Sequence, residues 1–393
     1  MKKLAAICIS FLICFCSVGS TFAISDTYSG AETTYTVNNT LEVDCRAAYL
    51  IEAETGSCLY AKCQDDEQSI ASVTKIMTLL LFAEALDRGE FSLTDMVTVS
   101  AYAASMGGSQ VFLKEGERIS VEELLKSAII ASANDASVAI AELVAGSEGA
   151  FVDRMNKRAL ELGMKNTSFE NVTGLDDTTT AHYSSARDVA IMSSELIKHD
   201  VILKYTSIWQ DSIRGGEFTL TNTNRLIRYY DGCTGLKTGS TDKAGFCISA
   251  TAKRENMSLI AVVLGAESRE ERNAIAKKLL DYGFSSYSVY KVEEKIIEDV
   301  PVYSGKRDSL PIYSREFSCL VDKAKRSSVE IKYDIPEYIS APIVENQTVG
   351  SMEYYLDGEM IGKSELFVKE GVERLSTLDH FIMIISRIIL GKN

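Results

Sequence analysis

IASVTKIMTLLLFAEALDRG, residues 70–89, decides how the rest of the chain is read. From Lys75 to Arg88 it is an apolar run of good helix formers, closed by Gly89 as a C-cap. Ser72 and Lys75 stand three positions apart where that helix begins. Residues at this spacing share a helix face, so the amine lies beside the hydroxyl. The positive end of the helix dipole favours negative charge developing on that hydroxyl. The lysine can then serve as base, provided burial or a second cation lowers its pKa. Alone, the Ser-x-x-Lys pattern is common, and a surface lysine is its ordinary explanation.

Two more short motifs follow in order. Ser132-Ala133-Asn134 falls on the loop between two apolar helical stretches; its hydroxyl can relay protons and its amide can hold a peptide group, although the pattern is also a helix cap. Lys237-Thr238-Gly239 lies in a strand-like segment after the Asp231-Gly232 turn. There the lysine supplies a fixed positive charge and the threonine can bind a carboxylate. The glycine lets another chain approach the strand edge, where a substrate can add as a strand. Each motif is weak; the ordered set of three, each on the element its role requires, is not.

The remaining sequence narrows the chemistry. The 393 residues carry 41 Lys+Arg against 55 Asp+Glu, a net charge of -14, which argues against a nucleic-acid partner. The three histidines, His182, His199 and His380, disfavour a multi-histidine metal site and a Ser-His-Asp mechanism. No metal and no cofactor is expected. Lys2 and Lys3, an apolar stretch from Leu4 to Val18, and Thr21-Phe22-Ala23 form a cleavable export signal over 1–23. Residues 24–40 are a Ser/Thr/Asn-rich leader. Cys8, Cys14 and Cys16 leave with the signal. Cys45, Cys58, Cys63, Cys233, Cys247 and Cys319 are too sparse for a disulfide framework and are expected as buried free thiols, with Cys233–Cys247 as the one conceivable bridge.

The pattern along the chain is α+β. A hairpin is predicted around Glu54-Thr55-Gly56. Helices follow from Ser72 to Gly89, after the capping box Ser120-x-x-Glu123, and near 134–145, 149–162 and 185–198. Strands are predicted over Glu217–Leu220, Gly235–Gly239, Gly245–Thr251 and Ser258–Gly265, and a last helix from Ser268 to about Tyr282. This first domain spans 41–286. All four prolines, Pro301, Pro311, Pro336 and Pro342, come later, among period-2 segments such as SVEIKYDI and MEYYLDGEMIG. They mark a small all-β domain over 288–368, read as a spacer. Val372, Leu375, Leu378, Ile382, Ile385 and Ile389 then recur at three- and four-residue steps. Residues 371–393 are too interrupted by polar groups to span a bilayer and suit a helix lying in its surface.

ASVTKIMT, IIASANDAS and DGCTGLKTGSTDKAGF, with Gly174-Leu175-Asp176 and HYSSARD, resemble the low-molecular-mass penicillin-binding proteins that are serine-type D-Ala-D-Ala carboxypeptidases, and the likeness covers almost the whole chain. It implies a transpeptidase/β-lactamase-like α+β domain, with helices packed on an antiparallel sheet. It also implies roles. Ser72 is the acylated nucleophile and Lys75 its base. Ser132 passes a proton to the leaving amine, and Asn134 positions the peptide. Lys237 and Thr238 hold the terminal carboxylate together with Arg272, after GAESREE, and Gly239 belongs to the same substrate-binding strand. The Ser72 and Ser240 backbone N–H groups form the oxyanion hole. The implied partners are stem peptides of peptidoglycan ending in D-Ala-D-Ala, β-lactams as covalent inhibitors, and the outer face of the cytoplasmic membrane through the C-terminal helix. Ser240 and Thr223 depart from residues found in some members.

Three alternatives stay open. A class A β-lactamase uses a glutamate to activate its deacylating water, and Glu170-Asn171-Val172 does not match that context. A non-catalytic penicillin or peptidoglycan sensor would keep the pocket without turnover. A D,D-endopeptidase would cut cross-links with the same residues.

Overall fold

The computed structural model describes residues 41–177 and 179–390. The export signal over 1–23 and the leader over 24–40 lie outside the described residues.

The hairpin forms as predicted: strands β1 (Ala47–Glu52) and β2 (Cys58–Lys62) pair antiparallel. A 3-10 turn, Ala71–Thr74, leads into helix α1 (Lys75–Asp87). Helices α2 (Val121–Ile130), α3 (Asn134–Ala145), α4 (Glu148–Glu161) and α5 (Ala186–Leu196) follow. Helix α2 starts on the predicted capping box, the Ser120 hydroxyl accepting from the Glu123 N–H while the Glu123 carboxylate accepts from the Ser120 N–H. Strands β3 (Cys233–Thr241), β4 (Gly245–Arg254) and β5 (Met257–Ala266) complete the sheet, and helix α6 (Arg269–Ser286) closes this part of the chain.

The five strands lie in the order β2-β1-β5-β4-β3, which leaves β3 at an edge. Strand β1 is buried along its whole length because both faces of the sheet are covered. Alternation sorts the side chains between the layers. Tyr49, Ile51, Ile260, Val262 and Leu264 pack with the helical block α1–α5. Leu50, Ile248, Leu259, Ala261 and Val263 face Leu279, Leu280 and Phe284 of α6. Helix α1 is the centre of its block. Ile76 through Ala83 are all buried, which accounts for an apolar run with no polar stripe.

Between α6 and Val368 the chain is built of β-strands, with one 3-10 turn at Lys323–Ser328. Strands β6 (Tyr287–Val292) and β9 (Phe317–Asp322) form one antiparallel pair. Strands β7 (Lys295–Tyr303), β8 (Ser309–Ser314), β10 (Glu330–Asp334), β11 (Ile339–Ser340), β12 (Thr348–Leu356) and β13 (Glu359–Val368) form a six-stranded sheet in the order β10-β12-β13-β8-β7-β11. Its core holds Val300, Leu310, Ile312, Met352, Tyr354, Leu366 and Val368. The Phe317 and Tyr354 rings stack with centroids 3.9 Å apart. The β6–β9 pair docks on the first domain: Val289 and Leu320 join the core beneath α6, and the Ser318 hydroxyl donates to Glu54 at 3.0 Å.

Two expectations change. Helix α7 runs Thr377–Leu390 rather than from 371. Residues 372–375 belong to the β layer: Val372 bridges Ile343 in both directions and the Leu375 N–H donates to Ser304 O. On α7, Leu378, Phe381, Ile382 and Ile384 are all more than half exposed. No helix among the described residues is long and apolar enough to cross a membrane. The six described cysteines are free. Cys233 sits opposite Ala252 and Cys247 opposite Gly239, so the two thiols are on neighbouring strands but at opposite ends of the ladder. Nor are all the thiols buried, since Cys63 is exposed.

Candidate active site

In a 3-10 turn residues three apart eclipse. Ser72 therefore sits directly over Lys75, whose Nζ is 2.8 Å from the Ser72 Oγ, 2.7 Å from Asn134 Oδ1 and 2.9 Å from Thr173 O. Asn134 is oriented by its own Nδ2, which donates to Gly107 O at 2.7 Å, so the oxygen faces the lysine. Burial first, then the neighbouring Lys237 ammonium, hold the Lys75 amine well below the ordinary lysine range, against the opposing pull of Asp135. A neutral amine has two N–H groups and one lone pair. Asn134 Oδ1 and Thr173 O can only accept, so they take both N–H groups. The lone pair is left facing the Ser72 hydroxyl, as a base requires.

Ser132 lies between α2 and α3 with φ +62, a strained position for a non-glycine residue. That turn aims its hydroxyl at Lys237, whose Nζ donates to it at 2.7 Å. Lys237 Nζ also donates to Thr238 O at 3.0 Å. Burial, reinforced by the Arg272 charge, lowers the Lys237 pKa to about 7. The fixed charge expected from sequence is thus a conditional one: among the described residues no carboxylate pairs with this amine, so it titrates near neutrality until a substrate anion arrives.

Asp135, one residue after the Ser-x-Asn motif, was not singled out in the sequence. It is buried, and its carboxylate accepts from the Val111, Leu113 and Ala136 N–H groups. It ties the loop before α2 to the start of α3, while the Asn134 N–H donates to Ser109 O at 2.7 Å. The cleft wall is therefore fixed by the motif's own neighbourhood.

Strand β3 brings in the third motif. The Thr238 hydroxyl lies 2.8 Å from that of Thr223, which it faces. Gly239 was expected to admit a foreign chain. Its strand does lie at the sheet edge, and the glycine also admits this chain's own nucleophile turn: a Cβ there would lie 2.8 Å from Ile70 O and from Ser72 N. The Ser72 and Ser240 backbone amides consequently belong to touching segments. Arg272 is buried in the first turns of α6, with Nη2 donating to Asn273 Oδ1 at 2.9 Å. Burial brings its pKa down to about 10, which leaves it charged at neutral pH.

Among the described residues no histidine lines the cleft. The Glu170 N–H donates to His182 Nδ1 at 3.0 Å, so Nε2 carries the proton and donates to the Thr74 hydroxyl at 2.8 Å. Burial drives this imidazole down to about 4. It braces the turn that holds Ser72.

All of these groups meet in a cleft of about 580 Å³. Ser72, Ser132, Thr238, Gly239, Ser240 and Arg272 line it, with Lys75, Asn134 and Lys237 bonded directly behind. The structure thus brings together every site residue read from the sequence. It adds Ser109, Trp209, Thr221, Asn222, Thr223, Arg225, Tyr229 and Arg269 to the lining, and, among the described residues, no Asp or Glu. Glu170 is turned away, bonded to the N–H groups of Thr180 and Ala181. Of the added residues, only the lone tryptophan and the already noted Thr223 carried any signal in the sequence.

Residues 32–268 match the family model described as D-alanyl-D-alanine carboxypeptidase, and residues 284–374 match that of the penicillin-binding protein 5 C-terminal domain. The chain is 45% identical over 338 residues to D-alanyl-D-alanine carboxypeptidase DacF of Bacillus subtilis, covering 84% of this chain and 86% of that protein. It is 34% identical to DacC of Escherichia coli, over 87% of this chain and 88% of that one. Among solved structures, penicillin-binding protein 5 from Haemophilus influenzae superposes with a TM-score of 0.75 at 33% identity, covering 85% of this chain and 99% of that chain. The ampicillin-bound form of penicillin-binding protein D2 from Listeria monocytogenes superposes with a TM-score of 0.57 at 32% identity, over 62% of this chain and 99% of that chain.

Proposed function

The chain belongs to the D-alanyl-D-alanine carboxypeptidase family, and from that premise we propose that it is an exported enzyme removing the terminal D-alanine of peptidoglycan stem peptides through an acyl-enzyme on Ser72. The contact that carries this reading is Lys75 Nζ at 2.8 Å from Ser72 Oγ, with burial holding that amine well below the ordinary lysine range.

Lys75 takes the Ser72 proton as the hydroxyl attacks the penultimate D-alanine carbonyl. The Ser72 and Ser240 N–H groups stabilise the oxyanion. Ser132, bonded to Lys237, passes a proton to the departing amine. Asn134 positions the peptide, and Lys237, Thr238 and Arg272 hold the terminal carboxylate over Gly239. Water then hydrolyses the ester. A β-lactam acylates the same hydroxyl. The acid-free lining argues against the class A β-lactamase alternative, because the cleft offers no carboxylate to activate a deacylating water.

The test is intact-protein mass spectrometry after penicillin. The wild-type protein should gain one adduct and Ser72→Ala none, and only the wild type should release D-alanine from a pentapeptide. Labelling of Ser72→Ala at the wild-type rate would overturn the assignment.

The pH profile of kcat/KM should be bell-shaped. The acid limb follows protonation of the depressed Lys75 base. The alkaline limb should begin near pH 7, because Lys237 must be protonated to attract the carboxylate and loses its proton there. Lys237→Arg should move the alkaline limb upward by at least one pH unit, roughly, as a guanidinium stays charged. A profile flat from pH 6 to 9 would sink this assignment.

We also propose the division into an export signal (1–23), a leader (24–40), a catalytic domain (41–286), a β domain (288–368) and a membrane-surface helix at the C-terminus, with the enzyme held peripherally at the outer face of the membrane. The exposed apolar residues of α7 support the last point. The informative truncation removes 377–393, because 372–375 pair with the β layer. It should free the protein from membranes with activity intact; a truncated protein that still pellets with vesicles would refute the anchor.

A further inference from the structure

The carboxylate end of the cleft carries more positive charge than one D-alanine can use. Arg225 and Arg269 line it beside Arg272, and no Asp or Glu does, in a chain whose net charge is -14. Among the described residues, neither Arg225 nor Arg269 has an ion pair or side-chain hydrogen bond. Both are exposed at the mouth, whereas Arg272 is buried behind them. The guanidiniums of Arg269 and Arg225 also depress Arg272, against the opposing pull of Glu270 on α6, so both lie within electrostatic reach of Arg272.

Their position identifies which part of a substrate they face. Arg269 is three residues before Arg272 on α6, hence on the same face. Arg225 is two residues from Thr223, whose hydroxyl meets that of Thr238. In the reading given above, Thr238 and Arg272 hold the carboxylate next to the amine that leaves. The spare cations therefore surround the leaving group rather than the acyl group. Trp209 and Tyr229, lining the same cleft, offer flat apolar surface there. A cleft of about 580 Å³ is in the range of pockets for ligands well beyond one alanine.

We propose that Arg225 and Arg269 form a second anion subsite, so that this enzyme cleaves D-Ala–D-Xaa bonds whose leaving amine bears a second carboxylate besides the one beside the amine. Two substrates share that chemistry: a stem ending in an acidic D-residue, and a cross-linked dimer whose leaving D-centre belongs to another, anionic stem. The bonds change as in the carboxypeptidase reaction. The amide C–N bond breaks as the Ser72 ester forms, the amine departs with the proton delivered through Ser132, and water completes hydrolysis. The inference rests on the acyl-enzyme reading above.

The test uses the full chain and three substrates: an acyl peptide ending in D-Ala-D-Ala, the same peptide ending in D-Ala-D-Glu, and a purified cross-linked stem dimer. At low salt the D-Glu peptide should exceed the D-Ala peptide in kcat/KM by about fivefold, through KM. Salt should erode that ratio. Arg225→Gln/Arg269→Gln should lower it to one or less, and Arg225→Lys/Arg269→Lys should retain most of it. Dimer cleavage with the same arginine dependence identifies a cross-link as the source; an effect confined to the D-Glu peptide identifies a terminal acidic residue. A wild-type ratio of one or below, or a ratio indifferent to the double substitution, overturns the subsite. Failure to release anything from the D-Ala peptide would instead bring down the carboxypeptidase reading itself.

Discussion

Lys75→Ala is expected to lower kcat/KM and the rate of penicillin acylation by about 10⁴, with the fold retained. The amine is the only group bonded to the Ser72 hydroxyl among the described contacts, and His182 is committed to Thr74 and Glu170. Removing it leaves Asn134 Oδ1 and Thr173 O without their donor in a buried place, at about 1–3 kcal/mol each. That cost is offset in part, because the wild-type lysine is itself fully buried without a carboxylate partner. Stability should therefore change far less than activity. Small primary amines, entering the space left behind, should restore part of the acylation rate in proportion to their free-base concentration. A loss of less than tenfold, measured by stopped-flow acylation, would mean that another group deprotonates Ser72.

Gly174→Ala should be the most damaging glycine-to-alanine change among the described residues. Gly174 has φ +79, and a Cβ there would lie 1.8 Å from Ala71 O and 2.3 Å from Ala71 C. Both obstacles are backbone atoms of the turn that carries Ser72, so no side chain can rotate away. The left-handed conformation costs an alanine about 1–2 kcal/mol, and the collision must be relieved by moving one of the two segments. Thr173 O, next in the chain, would move with them and release the Lys75 amine. A loss of about 3–5 kcal/mol in unfolding free energy, or a folded protein acylating at least 10²-fold more slowly, is expected. Denaturant unfolding read alongside acylation distinguishes the two. Wild-type values in both would show that the segment is looser than its contacts imply.

The sequence was most legible where local rules act alone. The capping box at Ser120, the N-cap at Ser268 and the hairpin at Glu54-Thr55-Gly56 depend on neighbouring residues, and they form where the pattern put them. Long-range facts were less legible. Gly239 had the sequence signature of a strand edge and its strand does lie at the edge, but nothing in that signature announced the turn at 70–73, 166 or more residues away in the chain, that packs against it. The helix at the C-terminus was drawn too early because Val372 and Leu375 continue the apolar spacing, although their backbones pair with Ile343 and Ser304. Periodicity records which residues are apolar and not what their amides bond to.

The order of Ser72-x-x-Lys75, Ser132-x-Asn134 and Lys237-Thr238-Gly239 determined by itself which chemistry this chain is built for, because each residue type has only a few uses at that spacing. Protonation was decided by the tertiary structure alone. The depressed amine at Lys75, the conditional charge at Lys237 and the arginines at 225 and 269 that line the cleft without a lining carboxylate all follow from which groups the fold brings and buries together. Desolvation and Coulomb interaction act through space, and no spacing along the chain encodes them.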